Sequence, residues 1–176
     1  MSEIITDVDG TEADGIPNMD YEKNGINLKK GLCYLIKEEK PYKAYDYFRH
    51  AMNSGMRCLC ITRDPPQKAK EKHNLPNCLV SWFSNVPSSH AFQPKKLENF
   101  SMSLTDFMSQ EEGSFILIDC MEYLISNNDF KTILRLFQNI RDEVIVNKAI
   151  LMISTNPAAL RSQEISRMES EMDIVI

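Results

Sequence analysis

The sequence predicts an α/β fold of three layers, a mainly parallel sheet of about five strands with helices on both faces. Three observations lead there. Five short apolar runs alternate with stretches of helical spacing, the signature of β-α-β units whose right-handed crossovers build a parallel sheet. Two runs, Phe115 to Ile118 and Ile150 to Ile153, are apolar without alternation, as strands covered on both faces are. Several runs stop abruptly at an Asp or Asn from which a helical pattern departs, the usual passage from a strand into a crossover helix.

In chain order the expected strands are Leu32 to Ile36, Arg57 to Thr62, Cys78 to Phe83, Phe115 to Asp119 and Ala149 to Ser154. Each has strand length and ends at polar or turn residues. Between them, Pro41 to Ser54 aligns Ala44, Phe48, Ala51 and Met52 on one helical face, and Pro94 to Met108 aligns Leu97, Phe100, Leu104, Phe107 and Met108. Phe130, Ile133, Leu134, Phe137 and Ile140 form a third stripe. Stripes at this period are packing faces. Asp173 to Ile176 is expected to add a short edge strand.

The charge is uneven. Residues 1 to 22 hold Glu3, Asp7, Asp9, Glu12, Asp14, Asp20 and Glu22 without a Lys or Arg, so they contribute −7 to a net charge of −5 and the remainder sums to +2. Acidic, with Gly10, Gly15 and Pro17 and no apolar period, residues 1–28 are expected to form a disordered tail, and residues 29–176 a single α/β domain. The tail reads either as a solubilising leader or as an acidic segment that competes with a partner for a basic patch.

Several function classes are disfavoured. The chain has no 18-residue apolar span and no basic-then-apolar start, so a cytoplasmic protein without membrane contact is expected. Cys33, Cys58, Cys60 and Cys120 lie in or beside apolar runs and read as reduced core thiols. Cys58 and Cys60 are expected on opposite faces of their strand, which disfavours a shared metal. The spacing of Cys78, His73 and His90 matches no zinc pattern, and neither a metal nor a cofactor is expected. Lys68, Lys70, Lys72, Lys95 and Lys96 are interrupted by Glu71 and Glu98 and lack stacking aromatics, which argues against nucleic acid. His50, His73 and His90 have no nucleophile motif beside them and read as surface residues.

Three strand ends carry the chemistry. They are Arg63-Asp64-Pro65, Asp119 with Glu122 three residues on, and Thr155-Asn156-Pro157. Asp64, Asp119 and Asn156 are types that cap helices, the prolines suit a first helical turn, and the spacing of Asp119 and Glu122 resembles a capping box. Parallel topology also brings these residues to the carboxyl edge of the sheet, where α/β proteins bind ligands, and places Glu38 there after the first strand. The candidate ligand or partner site is Glu38, Arg63, Asp64, Asp119, Glu122 and Asn156. It is poorly equipped for a nucleotide. The phosphate-loop position reads Lys37-Glu38-Glu39-Lys40-Pro41-Tyr42-Lys43-Ala44 instead of a glycine-rich turn closing in Gly-Lys-Ser/Thr, and two carboxylates there repel a triphosphate.

Cys60-Ile-Thr-Arg63, Val80-Ser-Trp82-Phe83, the stretch Leu117 to Phe130, Ile140-Arg141-Asp142 and Asn156-Pro157-Ala-Ala-Leu160 together resemble the archaeal domain-of-unknown-function family 835, over roughly residues 29–176. The resemblance implies a RecA-like or KaiC-like ATPase core without a working P-loop, found beside sensor or receiver modules in archaeal signalling proteins. It implies Gly where this chain has Cys120, and it supplies no catalytic residue. The expected function is a non-catalytic protein-interaction or regulatory module in archaeal signal transduction, with a sensor kinase or regulator as partner, or a second copy of itself. Tyr42, Tyr45 and Tyr47, beside Lys40 and Lys43, are the expected contact surface, since Tyr is enriched at interfaces. The alternative is an unconventional nucleotide sensor or NTPase with Asp119 and Glu122 on a metal and Arg63 on a phosphate.

Overall fold

The computed structural model describes residues 21–23 and 26–176. Residues 1–20 of the expected acidic tail lie outside the described residues. Its last part forms two short strands, β1 (Tyr21–Lys23) and β2 (Ile26–Leu28), paired antiparallel. Leu28 is buried in the main core, so the end of the expected disordered tail is instead tied to the fold.

The main body runs β3 (Leu32–Lys37), α1 (Tyr42–Asn53), β4 (Cys58–Thr62), α2 (Pro66–His73), β5 (Leu79–Phe83), β6 (Ala91–Phe92), α3 (Leu97–Ser109), β7 (Phe115–Ile118), α4 (Met121–Asn127), α5 (Phe130–Val146), β8 (Ile150–Thr155), α6 (Ser162–Glu171) and β9 (Ile174–Val175). Seven strands make one sheet in the order β6-β5-β4-β7-β8-β3-β9. All its neighbouring pairs are parallel. The five expected strands are its middle five. The C-terminal edge strand is present, whereas β6 and the β1–β2 pair were not expected: two and three residues are too few to carry an alternation.

Helices cover both faces. Because side chains two apart in a strand share a face, Leu35, Leu59, Ile61, Ile116, Ile118, Leu151 and Ile153 enter one core, against α3, α4, α5 and α6. Tyr34, Ile36, Cys58, Cys60, Leu117 and Met152 enter the other, against α1 and α2. The same rule corrects the expectation for Cys58 and Cys60, which lie on one face, not two. All five cysteines are buried and unpaired with one another.

The helix starts are handled locally. At α5 the Asp129 side chain accepts from the Thr132 amide at 3.0 Å and caps the helix. At α1 the residue before the helix is Pro41, which has no side-chain acceptor, and Glu38 takes that task from outside. Helix α1 lies over the central strands β4, β7 and β8 and buries more than its apolar stripe. Tyr45 and Tyr47 are 1% and 3% exposed, while Tyr42 is 71% exposed. The expected three-tyrosine surface is thus corrected to Tyr42 alone, because a helix in the outer layer of a three-layer sandwich needs large residues to fill its underside.

Candidate functional site

The carboxyl ends of β3, β7 and β8 surround a cleft of about 290 Å³ lined by Glu38, Glu39, Pro41, Asp119, Glu122, Ser154, Thr155, Asn156 and Ala159. Four of the six expected site residues meet there. Four carboxylates line it, and no Lys or Arg does.

Glu38 sets the character of the cleft. Its carboxylate accepts from the backbone N–H groups of Lys43 at 2.8 Å and Ala44 at 3.1 Å, and from the Ser154 hydroxyl at 2.8 Å. The first N–H groups of a helix have no partner within the helix and form a natural anion site. Here a carboxylate of the chain itself occupies them. The Glu38 amide in turn donates to the Thr155 carbonyl at 3.1 Å, which pins the loop to β8.

Asp119 follows β7 and is largely enclosed. The Tyr45 hydroxyl, 3.4 Å from the Cys60 thiol, donates to Asp119 Oδ2 at 2.5 Å. Asp119 Oδ1 is shielded from solvent and makes no hydrogen bond among the described residues, although the nearby Thr62 side chain favours the charged form. Burial outweighs these partners and pushes the carboxyl up to about 6. The Tyr45 ring stacks on His73 with centroids 3.6 Å apart. Burial, assisted by Lys72, holds the His73 imidazole down at about 4. His73 is therefore half-buried in a stack, a correction to its reading as a plain surface residue.

Glu122 accepts from the Asn156 amide at 2.6 Å and the Thr155 hydroxyl at 3.1 Å, tying α4 to the end of β8. It does not complete a capping box with Asp119. The residue before α4 is Cys120, whose side chain makes no cap and whose thiol points at the Ile61 carbonyl at 3.7 Å. Only Asn156 behaves as the capping reading expects, accepting from the Ala158 amide at 2.9 Å over a short 3₁₀ turn, Pro157–Ala159.

Arg63 and Asp64 stand outside the cleft. The Arg63 guanidinium lies 3.7 Å above the Tyr123 ring and donates to the Phe83 carbonyl. Asp64 pairs with Lys68 at 2.9 Å and Lys72 at 2.8 Å, and these lysines hold its carboxyl below its ordinary value. Glu39 and Thr155, which the sequence places at this edge, also line the cleft, and Ser154 joins them without having been singled out, its hydroxyl turned to Glu38 from the end of β8.

On the other flank of the first turns of α1 lies a groove of about 560 Å³ between α1 and α2, lined by Tyr42, Lys43, Tyr45, Asp46, Arg49, Lys72 and His73. Helix α1 thus contributes to a basic, aromatic groove, while the residue that caps it, Glu38, lines the acidic cleft.

The ATPase-like core that the sequence resemblance implies would bring a nucleotide and its Mg²⁺. The residues present do not fit them. The α1 amides are taken by Glu38, and no lysine faces the cleft to meet a phosphate. One Asp119 oxygen is taken by Tyr45, and no three His, Cys, Asp or Glu side chains among the described residues are grouped to hold a metal.

Residues 37–172 match the family described as "Protein of unknown function (DUF835)". Among solved structures, the chain is similar to flagellar accessory protein FlaH from Methanocaldococcus jannaschii, at 14% identity and a TM-score of 0.54, over 85% of this chain and 71% of that one. That likeness shows a RecA-like fold. No curated protein matches the chain.

Proposed function

Since the chain belongs to the DUF835 family of unknown function, we propose that it is a non-catalytic protein-interaction or regulatory module, built on an ATPase-like core whose phosphate position is filled from within. The observation that carries this reading is the Glu38 carboxylate on the α1 amides. An incoming phosphate would have to displace a tethered group of its own charge, and the neighbouring Glu39, Asp119 and Glu122 add repulsion. A second copy or a signalling protein such as a sensor kinase is the partner class this reading takes from the family resemblance. Tyr42, exposed beside Lys43, supports a contact surface of the amphipathic kind that interfaces favour. None of the described helices is long and apolar enough to cross a membrane, and the reading places the protein in the cytoplasm.

The test is a thermal-shift titration with ATP, GTP and cyclic dinucleotides, with and without Mg²⁺. Binding at about 100 Kd stabilises by about 2.7 kcal/mol, so a productive nucleotide is plain to see. The expected result is no shift, together with a protein partner on co-purification that Tyr42→Ser fails to recover. A nucleotide shift that requires Mg²⁺ and disappears in Asp119→Asn would establish the rival reading, a nucleotide sensor, instead.

A further inference from the structure

We propose that the open edge of β5 receives an extended peptide of a partner protein, which adds to the sheet as a strand and carries acidic and apolar side chains in alternation. The inference deepens the interaction-module reading, on which it rests for there being a protein partner, and it uses a surface that does not include Tyr42. Three observations select this occupant.

The edge is the first. β6 pairs only with Trp82 and Phe83 of β5, so Leu79, Val80 and Ser81 have β4 on one side and no strand among the described residues on the other. The Trp82 and Ser84 amides donate toward β6, to the His90 and Phe92 carbonyls at 3.0 and 2.9 Å. Backbone groups two residues apart on a strand point the same way, so the N–H and C=O of Val80 face the open side. β6 itself shows what fits there, a chain running parallel to β5 along the same edge. Such edges are templates for a further strand.

Space is the second. Beside Leu79, Val80 and Ser81 lies a cavity of about 420 Å³ that reaches both faces of the sheet edge. Its wall on the α3 face is Leu59, Phe92 and Phe107, joined by Leu79, which is 52% exposed. On the α2 face the wall is Pro66, Lys70 and Val80.

Charge is the third. The walls hold no Asp or Glu, and Lys70 is their one Lys or Arg. Lys68 and Lys72 both pair with Asp64. Lys70, two residues from each, projects from the opposite side of α2 and has no ion pair among the described residues. Side chains of an added strand alternate between the two faces. The occupant that suits both walls therefore sets an apolar residue toward Phe107 and an Asp or Glu toward Lys70, in turn.

The test uses the full chain and short capped peptides, read by anisotropy of a dye on the peptide and by the fluorescence of Trp82, the one tryptophan of the chain. A peptide of alternating Val and Asp is expected to bind, and one of alternating Val and Lys to bind severalfold more weakly. Lys70→Glu should reverse that preference. Methylating the alternate backbone nitrogens turned to β5 should abolish binding, whereas methylating the other set should leave it intact. No binding, equal effects of the two methylated sets, or an unchanged preference in Lys70→Glu would each overturn the proposal. Dimers in sedimentation that shield the Val80 amide from hydrogen exchange would assign the edge to a second copy and overturn it too. None of these readouts involves a nucleotide or Tyr42, so failure here and failure of the interaction-module reading are told apart.

Discussion

The carboxylate of Glu38 and the hydroxyl of Ser154 meet at 2.8 Å across the ends of the adjacent parallel strands β3 and β8. With the two α1 amides on the same carboxylate, one side chain closes the sheet edge, caps a helix and fills an anion position. Glu38→Ala should lower stability by about 1 to 3 kcal/mol in urea unfolding, the range for a lost cap and exposed charge-assisted bonds. The same variant should gain thermal stability in millimolar inorganic phosphate while the parent does not. Equal responses of the two proteins to phosphate would show that the amides are not what the carboxylate withholds.

Two titrating groups in contact with Tyr45, Asp119 at its hydroxyl and His73 stacked on its ring, give opposite pH signatures. Asp119 has its pKa raised from 3.8 to about 6 by burial, so the native state binds the extra proton. Its contribution to stability is complete at low pH and is lost as pH rises through about 6. For His73, depressed from 6.5 to about 4, the contribution is present at neutral pH and is lost as pH falls toward 4. Relative to the parent, Asp119→Asn should therefore gain stability as pH rises from 4 to 6, and His73→Phe, which keeps the stack, should gain as pH falls over the same window. Urea unfolding at several pH values checks both. Difference curves flat in pH for either variant would contradict the assignment.

The three tyrosines of α1 should separate cleanly on substitution. Tyr42→Ser leaves the melting temperature essentially unchanged, because the ring is exposed. Tyr45→Ala and Tyr47→Ala each remove a buried ring, with losses of about 3 kcal/mol or more by comparison with other aromatic truncations. Tyr45→Phe isolates the hydroxyl: it leaves Asp119 Oδ2 without its donor and should cost about 1 to 3 kcal/mol.

The thiols should be inert in the native protein. All five are buried, and burial pushes Cys33 and Cys58 to about 12, Cys78 to about 11 and Cys60 and Cys120 upward as well. Only a thiolate is a good nucleophile. Iodoacetamide at pH 8, followed by intact-mass measurement, should add nothing until denaturant is present and five groups afterwards. Labelling of Cys120 under native conditions would show that the start of α4 opens.

The central sheet was legible in the sequence because its strands bury both faces and so read as unbroken apolar runs, while the helices between them keep a single stripe. Parallel order then brought Glu38, Asp119, Glu122 and Asn156 to one rim. What the linear chain did not display was where each side chain turns. Asp64 stands at the same edge as Asp119, but two lysines one and two turns along α2 draw it away. Arg63 likewise turns to the Tyr123 ring. Tyr45 and Tyr47 look like polar helix positions until the layer beneath them is known. The pairings of Glu38 with Ser154 and of Tyr45 with Asp119 join residues far apart in sequence, which no local spacing announces.

The strand order bears on how the protein is made. β3 leaves the ribosome before every other strand of the main sheet, yet both of its neighbours, β8 and β9, follow all the others in chain order. Such distant closure slows folding. An emerging chain therefore holds β3 with two open edges until β8 has been made, and pairing β4 with β5 and β7 is the part of the sheet that can assemble earlier. A stop codon anywhere ahead of β8 would leave the Glu38 loop without the strand that anchors it.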